Sequence, residues 1–502
     1  MINNLFYSMR GLWIKSPALL VGLHLLIGIC FSLDFDWRYA CFSAGLILPL
    51  LCHPKHKLLE QALLLVATFT LGVLWGSTSI HQHQATTTPT TGSALFSIHN
   101  VKLQNSLFYS SYLYQGELTY FQSEEGQEMY HIPCHIYPPK GYERPLANCS
   151  YFIQGKLEIN DKGLARLQSE DPWQKIAPSF SYAEMRFQAK QAFHSFIFEK
   201  IQNRNAAQFL YSLCTGELEN KIMAKEFGKL GLQHILAVSG FHFSLIAIFC
   251  SFILNRLLPR KAAIIGLIIC LSLYFFFLGA SPSVFRAWIA ITVWSISQLI
   301  RRKSNGLNTL GVCLIIELLY NAQSIFHIGF QFSFLCTAAL LILTPMMLDW
   351  MSLILPKRTP EQLRSFPLPD RIAYLACCFL RTSSAVTLSV HIASIPLCFY
   401  HFQSFPVLSL FYNLFFPFCT GISLFLLLSA LLTGLLFPFL AGLIHSLNTI
   451  LTTYLLGVTE HIPRFVDYTF TLPPFDLFYI LTYLFTLLII STYLNNKNLN
   501  LL

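Results

Sequence analysis

Twelve apolar windows punctuate the chain, near residues 16–33, 38–52, 60–80, 233–255, 262–279, 283–300, 306–320, 325–345, 372–400, 408–432, 434–457 and 475–493. About 30 Å of hydrocarbon takes roughly 17 to 25 helical residues to cross. Several windows are short or contain proline, so the pattern predicts ten to twelve transmembrane helices. Between 92 and 178 the period changes to two, in runs such as Leu107–Tyr114, Met129–Tyr137 and Tyr151–Ile159 set between Gly, Pro and Asn turns, and this predicts β-strands. From Tyr182 to Gly231 the spacing becomes helical. Ala189, Phe193, Phe196, Ile197 and Ile201 share one face, and Glu184, Gln188, Gln191, Ser195 and Gln202 the other. Lys200 and Arg204 fall on the apolar side, where their stems would have to snorkel. Such helices would lie on the outer membrane surface, over an opening in the bundle, or packed on the bundle itself. The expected division is 1–80, 92–178, 182–231 and 232–493.

Composition agrees with an α-helical polytopic membrane protein. Of 502 residues, 54% are hydrophobic and 11% charged, against roughly 25% charged in soluble domains. The first apolar window lacks a small-residue cleavage site and is read as an anchor. Basic residues give an orientation, because short cytoplasmic loops are enriched in them. Arg10, Lys15, Lys55, Lys57, Arg256, Arg260, Lys261, Arg301, Arg302, Lys303, Lys357, Arg358, Arg364 and Arg371 all fall in alternate loops. Both termini are then cytoplasmic and the β region external. The net charge of +9 reflects topology more than affinity for nucleic acid.

A β region of this size fits a small external OB-like barrel better than a two-sheet sandwich. Such barrels often bind single strands through a basic, aromatic groove. Here, however, Lys102 to Lys175 holds seven Lys or Arg against nine Asp or Glu, so its aromatics are better read as core. Twelve of the fourteen cysteines lie in or near apolar segments, where a thiol acts as a small hydrophobe. Cys134 and Cys149 are the two in the external stretch. They could form a disulfide in an oxidising compartment, or remain two thiols of a β core. No CxxC or His/Cys metal array occurs, and no cofactor is expected.

Three motifs carry a resemblance. Gly216 followed by Lys229-Leu-Gly-Leu-Gln-His-Ile-Leu-Ala-Val-Ser-Gly-Phe-His242 resembles the signature of the ComEC-type competence proteins, inner-membrane channels for transforming DNA. Gly279-Ala-Ser-Pro-Ser-Val-Phe-Arg-Ala287 and the Gly329-Phe-Gln-Phe-Ser-Phe334 core of the segment from Asn321 resemble a second and a third family motif. Ser394-Ile-Pro396, then Phe405 to Asn413 and Pro417, fit a weaker fourth. The resemblance implies single-stranded DNA uptake during natural transformation, through a protein of the inner (cytoplasmic) membrane. It also implies membrane lipid contacts, a separate DNA receptor outside and a cytoplasmic ATPase, since no GxxxxGK[ST] loop is present. Many family members carry a metallo-β-lactamase-like domain with a His-x-His-x-Asp-His run. His81-Gln-His83 lacks the acidic residue, so no metal and no nuclease or other enzymatic activity is expected, as in a shorter form of the family.

Moving a strand through lipid needs a wetted path with few positive groups. The candidates are His234, Ser239, Gly240, His242, Ser281, Ser283, Arg286, Gln331 and Ser333. Arg286, just after Ser281-Pro-Ser283, suits phosphate contact near freed helix N–H groups; it could instead snorkel or pair with Glu317. Ser239 and His242 are three apart and share a helical face, as pore lining or as a structural polar cluster. Gln331 and Ser333 flank Phe332 and cannot share a face. Glu317, a carboxylate inside an apolar window, is a candidate for ion pairing or proton coupling. His391, Ser394 and Asn413 suit interhelical hydrogen bonds. Two other classes compete. An intramembrane serine hydrolase would use Ser239, but Ala237-Val-Ser-Gly240 lacks the first glycine of a GxSG turn and His242 looks poorly placed as its base. A lipid or polysaccharide transporter would show a large apolar lateral cavity.

Overall fold

The computed structural model describes residues 11–51, 56–81, 89–105, 110–139, 143–159, 165–169, 171–178, 181–460, 468–473 and 475–499. Arg10, Lys55, His83 and the first residues of the Leu107 run lie outside them. The amino-terminal part holds Pro17–Asp34 (α1), Trp37–Leu51 (α2) and His56–His81 (α3). Proline at the first position of α1 needs no N–H partner there. Glycines set how closely α1 and α3 approach: a Cβ on Gly28 would lie 2.2 Å from the Phe69 carbonyl oxygen, and one on Gly72 2.5 Å from that of Leu25. Gly72 and Gly76 are four apart, a small-residue face that permits backbone contact in lipid.

The β region comprises Thr90–Asn105 (β1), Ser110–Ser123 (β2), Glu128–Tyr137 (β3), Cys149–Ile159 (β4), Ala165–Gln168 (β5) and Gln174–Pro178 (β6). β1 to β2, β2 to β3 and β4 to β5 pair antiparallel, β3 and β5 pair parallel, and β4 returns to pair with β1. Five strands therefore close a ring, and β6 pairs with the first residues of β4 on the edge that β5 takes further along. The register shifts of β1 at Leu95/Phe96 and Ile98/Asn100 bend a strand that must serve two neighbours. Phe96, Tyr114, Leu118, Phe121 and Ile136 fill the interior, and Trp173 plugs it edge-on against Phe96, Tyr114 and Tyr151.

The disulfide reading is corrected here. Cys134 and Cys149 are both free and buried, on β3 and β4, strands separated by β5. Each thiol faces apolar core, and burial pushes that of Cys134 up to about 12.

Three helices lead from the β ring to the bundle: Tyr182–Lys200 (α4), Arg204–Thr215 (α5) and Lys221–Lys229 (α6). They differ in burial: α4 buries Ala183, Glu184, Lys190 and Ile197, and α6 only Met223 and Phe227. Every residue of α5 from Ala206 to Thr215 is buried, in a core shared with later apolar helices. Glu184 of α4 takes a charged hydrogen bond from Arg144 and another from the Ala147 N–H at 2.8 Å, fastening ring to helix. Lys190, the other buried charge, reaches Glu217 at 2.7 Å and the Leu278 carbonyl at 3.2 Å.

The rest is helical: Gln233–Leu236 (α7), Gly240–Leu257 (α8), Arg260–Leu278 (α9), Pro282–Leu299 (α10), Gly306–Tyr320 (α11), a 3-10 turn at Ala322–Phe326, Ile328–Ile342 (α12), Thr344–Ile354 (α13), Pro360–Ser365 (α14), Leu368–Phe402 (α15), Ser409–Gly434 (α16), Pro438–Glu460 (α17) and Leu477–Leu499 (α18). Strands Ser404–Pro406 (β7) and Thr469–Thr471 (β8) pair between them. Every apolar window is largely helical, yet among the described residues seven helices are long and apolar enough to cross a membrane, eight if α12 and α13, bent by 51°, count as one. The expected ten to twelve is therefore too high by that measure. α2 and α11 have 15 residues each, about 22 Å at 1.5 Å per residue, and α10 carries Arg286 and four serine or glutamine positions. By the length and composition of its helices the chain is a multi-pass membrane protein.

Candidate functional site

The 232–244 segment is not one helix. α7 ends at Leu236, Ala237 and Ser239 are extended, and α8 starts at Gly240 with Ser239 as its N-cap. Gly216 explains part of this break. It caps α5 with φ 69°, and a Cβ there would lie 3.2 Å from the Val238 nitrogen, so only glycine meets both the left-handed turn and the close approach. The Tyr274 hydroxyl donates to the Cys214 carbonyl at 2.8 Å and fixes the same corner.

Ser239 and His242 meet, though not on a helical face. The His242 Nδ1 accepts the Ser239 N–H at 3.3 Å and lies 3.0 Å from the Ser239 Oγ. The expectation that His242 is poorly placed relative to this hydroxyl is thus wrong. Because Nδ1 accepts, the proton resides on Nε2, which is buried without a partner. A hydrolytic histidine would have that nitrogen oriented by a third group. Here the ring serves as a helix cap and leaves one donor over. His234 keeps an exposed ring within electrostatic reach of His242 and His391.

Arg286 joins three motifs. It sits one turn into α10, whose N-cap is Ser281 and whose first residue is Pro282. Rather than snorkelling, its side chain turns inward and is 9% exposed. Nε donates to the Ser333 Oγ at 2.7 Å, the guanidinium lies 6.0 Å from the Phe334 ring centre, and a Cβ on Gly240 would come within 2.7 Å of Nη2. Gly240 therefore makes room for the arginine at the amino end of α8.

Glu317 of α11 is close but does not form the expected pair. No basic nitrogen lies within 4.0 Å of it among the described residues, and its Oε2 is buried without a hydrogen bond.

Magnitudes argue against stability as the reason for this arrangement. Inserting an arginine into hydrocarbon costs up to about 3 kcal/mol on insertion scales, whereas an interhelical hydrogen bond returns about 0.6 kcal/mol. One serine does not offset the guanidinium. The first-turn N–H groups of α8, which starts at Gly240, add partial positive charge beside it.

The other candidates go elsewhere. The Gln331 Oε1 accepts from the His401 Nε2 at 2.6 Å and its Nε2 donates to the Ile325 carbonyl at 2.8 Å, so it and Ser333 point to different partners from α12. Ser281 is exposed and Ser283 half-buried at the start of α10, outside the Arg286 contact. His391 meets Ser409 at 3.2 Å, and the Asn413 side chain donates to the Ser409 carbonyl at 2.8 Å. A Cβ on Gly231 would lie 2.6 Å from that of Ser409, which ties the first motif to the fourth. Sequence reasoning missed the contribution of Phe334, His401 and Ser409; the only signal was their place inside motif segments or beside them.

Among the described residues no group of three His, Cys, Asp or Glu could hold a metal ion. Comparison with known proteins bears on the region just described. No solved structure matches the chain. It is 29% identical over 237 residues to ComE operon protein 3 of Bacillus subtilis (strain 168), a match that covers 45% of this chain and 27% of that protein. The chain thus aligns with about a quarter of that relative's length. The profile described as Competence protein matches residues 214–497, which contain Gly216, the Ser-Gly-x-His break, Arg286 and the Ser333 helix. The chain belongs to the competence protein family.

Proposed function

We propose that this chain is a channel subunit for import of single-stranded DNA across the inner membrane during natural transformation, with the corner formed by Ser239, Gly240, His242, Arg286 and Ser333 on the path of the strand. The observation that carries the reading is the contact of Arg286 with Ser333 and Gly240, which unites three separated motifs of the family-matched region around a guanidinium that has no carboxylate in contact. Phosphate oxygens would supply what Ser333 alone does not. His234, on the solvent-accessible side of the break, would meet the strand first. Glu317, set back from Arg286, would keep the vacant site from binding phosphate too tightly, since conduction needs sites that release their ion.

In this reading residues 1–80 anchor the bundle, 92–178 form an external OB-like barrel, 182–231 join it to the bundle and 232–493 form the channel. The barrel's closed 1-2-3-5-4 strand order supports the OB assignment. Both termini then face the cytoplasm, a receptor delivers DNA outside, and a cytoplasmic ATPase supplies the energy. The test follows labelled DNA into cells carrying Ser239→Ala, His242→Ala or Arg286→Ala at matched protein level. Import is expected to fall in all three, most for Arg286→Ala; normal import in all three overturns the path.

A further inference from the structure

A groove between α8, α9 and α10 takes no part in that corner. Its cavity of about 480 Å³ is open on one side and lined by Ser244, Ile248, Phe252, Asn255 and Arg256 of α8, with Leu267 and Trp294 opposite. That volume falls within the roughly 300–1,000 Å³ of small-molecule sites. A smaller cavity of about 130 Å³ shares Asn255 and Trp294 and adds Arg260 and Gln298, whose side chains meet at 3.4 Å.

Two features separate this groove from ordinary lipid-facing surface. The first is its length. Ser244 and Arg256 are twelve residues apart, about 18 Å along a helix, close to half of the roughly 30 Å hydrocarbon core. The second is charge. The polar end gathers Arg256 and Arg260, with Lys261, Arg301, Arg302 and Lys303 beyond, all exposed. No Asp or Glu occurs between Glu226 and Glu317, and no ion pair involves any of these six among the described residues. The apolar wall is exposed too: Phe252 is 64% and Trp294 47% accessible.

We propose that this groove holds one anionic glycerophospholipid, with an acyl chain along Ile248, Phe252 and Trp294 and the phosphate between Arg256 and Arg260. Asn255 and Gln298 supply neutral donors beside the two guanidinium groups, and the Trp294 indole is an amphipathic ring of the kind that favours a membrane interface. A nucleic-acid strand would need positive groups along the groove, whereas here they stand at one end and the remainder is apolar. The occupant is therefore a membrane lipid, and the site is independent of the DNA path.

The full chain, reconstituted in nanodiscs of phosphatidylcholine with or without phosphatidylglycerol, provides the test. Native mass spectrometry of the released protein should show one retained phosphatidylglycerol and no retained phosphatidylcholine. Arg256→Gln with Arg260→Gln should weaken retention roughly thirtyfold, at about fivefold per basic group near the surface. Ile248→Trp, which fills the groove and leaves the charges, should weaken it as well. Arg301→Gln with Arg302→Gln, at the same end but off the groove, should not. Each variant is first matched to the parent by elution profile and by thermal midpoint in lipid-free detergent. Equal retention of both lipids, equal loss from the off-groove pair, or displacement of the lipid by a single-stranded oligonucleotide would each overturn the assignment.

Discussion

Two arginines, one half-buried and one buried, divide this protein. Arg144, at the foot of the β ring, meets the Glu184 carboxylate directly and lies 4.4 Å from the Phe187 ring centre. Arg286, within the bundle, has one hydroxyl, one aromatic ring and a carboxylate beyond contact distance. The first meets a carboxylate and joins two parts of the fold, with its Nη1 left without a hydrogen bond. The second is left open. A paired charge holds structure together, because removing either partner strands the other; an underpaired one retains capacity for an anion from outside.

The comparison breaks most visibly at Arg286. Arg286→Ala should lower DNA import at least about a hundredfold, the size of losing a desolvated charge contact, while changing the thermal midpoint little. Arg286→Lys should recover part of the import, since the charge stays and the planar fork does not. If Arg286→Ala instead abolished folding, the arginine would be structural and the contrast with Arg144 would vanish. Arg144→Ala should act the other way, costing about 2 kcal/mol because Glu184 is left buried, read as a lower unfolding midpoint of the ring. Arg144→Met with Glu184→Leu should restore most of that loss.

A smaller loss, about 1–3 kcal/mol, is expected for Gly72→Leu, because a side chain there meets the Leu25 carbonyl; detergent unfolding would register it. Acid probes the ring junction more gently. Burial raises the Glu184 carboxyl, but the hydrogen bonds from Arg144 and the Ala147 N–H outweigh it and hold the pKa below its ordinary 4.5. The stability it contributes is present above that value and is lost as pH falls through the lowered one. Trp173 fluorescence, reporting the ring interior, should therefore shift in acid below the ordinary carboxylate range, and the transition should be absent in Glu184→Gln. The smallest effect is none at all. Reductant should leave the ring's midpoint unchanged, and Cys134 should resist alkylation until unfolding; a midpoint drop with reductant would restore the disulfide.

Much of the architecture was legible because lipid and pleated sheets impose strict periods. All twelve apolar windows are largely helical, though those at 233–255, 325–345 and 434–457 are each broken, and the region of period two is a closed β ring. What length and hydropathy failed to separate was a helix that crosses from one that is merely buried. α5, with Arg204, Asn205 and Gln208, reads as amphipathic, yet only its first two residues are exposed and everything from Ala206 to Thr215 lies inside. Its polar groups are few enough to be met by neighbouring helices. Cys134 and Cys149 show the same limit, since two thiols of the β region look alike in sequence whether or not another strand stands between them.

The sequence by itself determined the residue types of the candidate site, through motifs that place Ser-Gly-x-His, Ser-Pro-Ser-x-x-Arg and Gly-Phe-Gln-x-Ser on three stretches of chain. Only the tertiary structure decided which of them meet. Motif order carries no information about distance between helices, so Arg286 could as well have paired with Glu317. Helix packing settled the matter: Gly240 lacks the Cβ that would exclude the guanidinium, Ser333 faces it while Gln331 turns to His401, and Glu317 stays just out of reach.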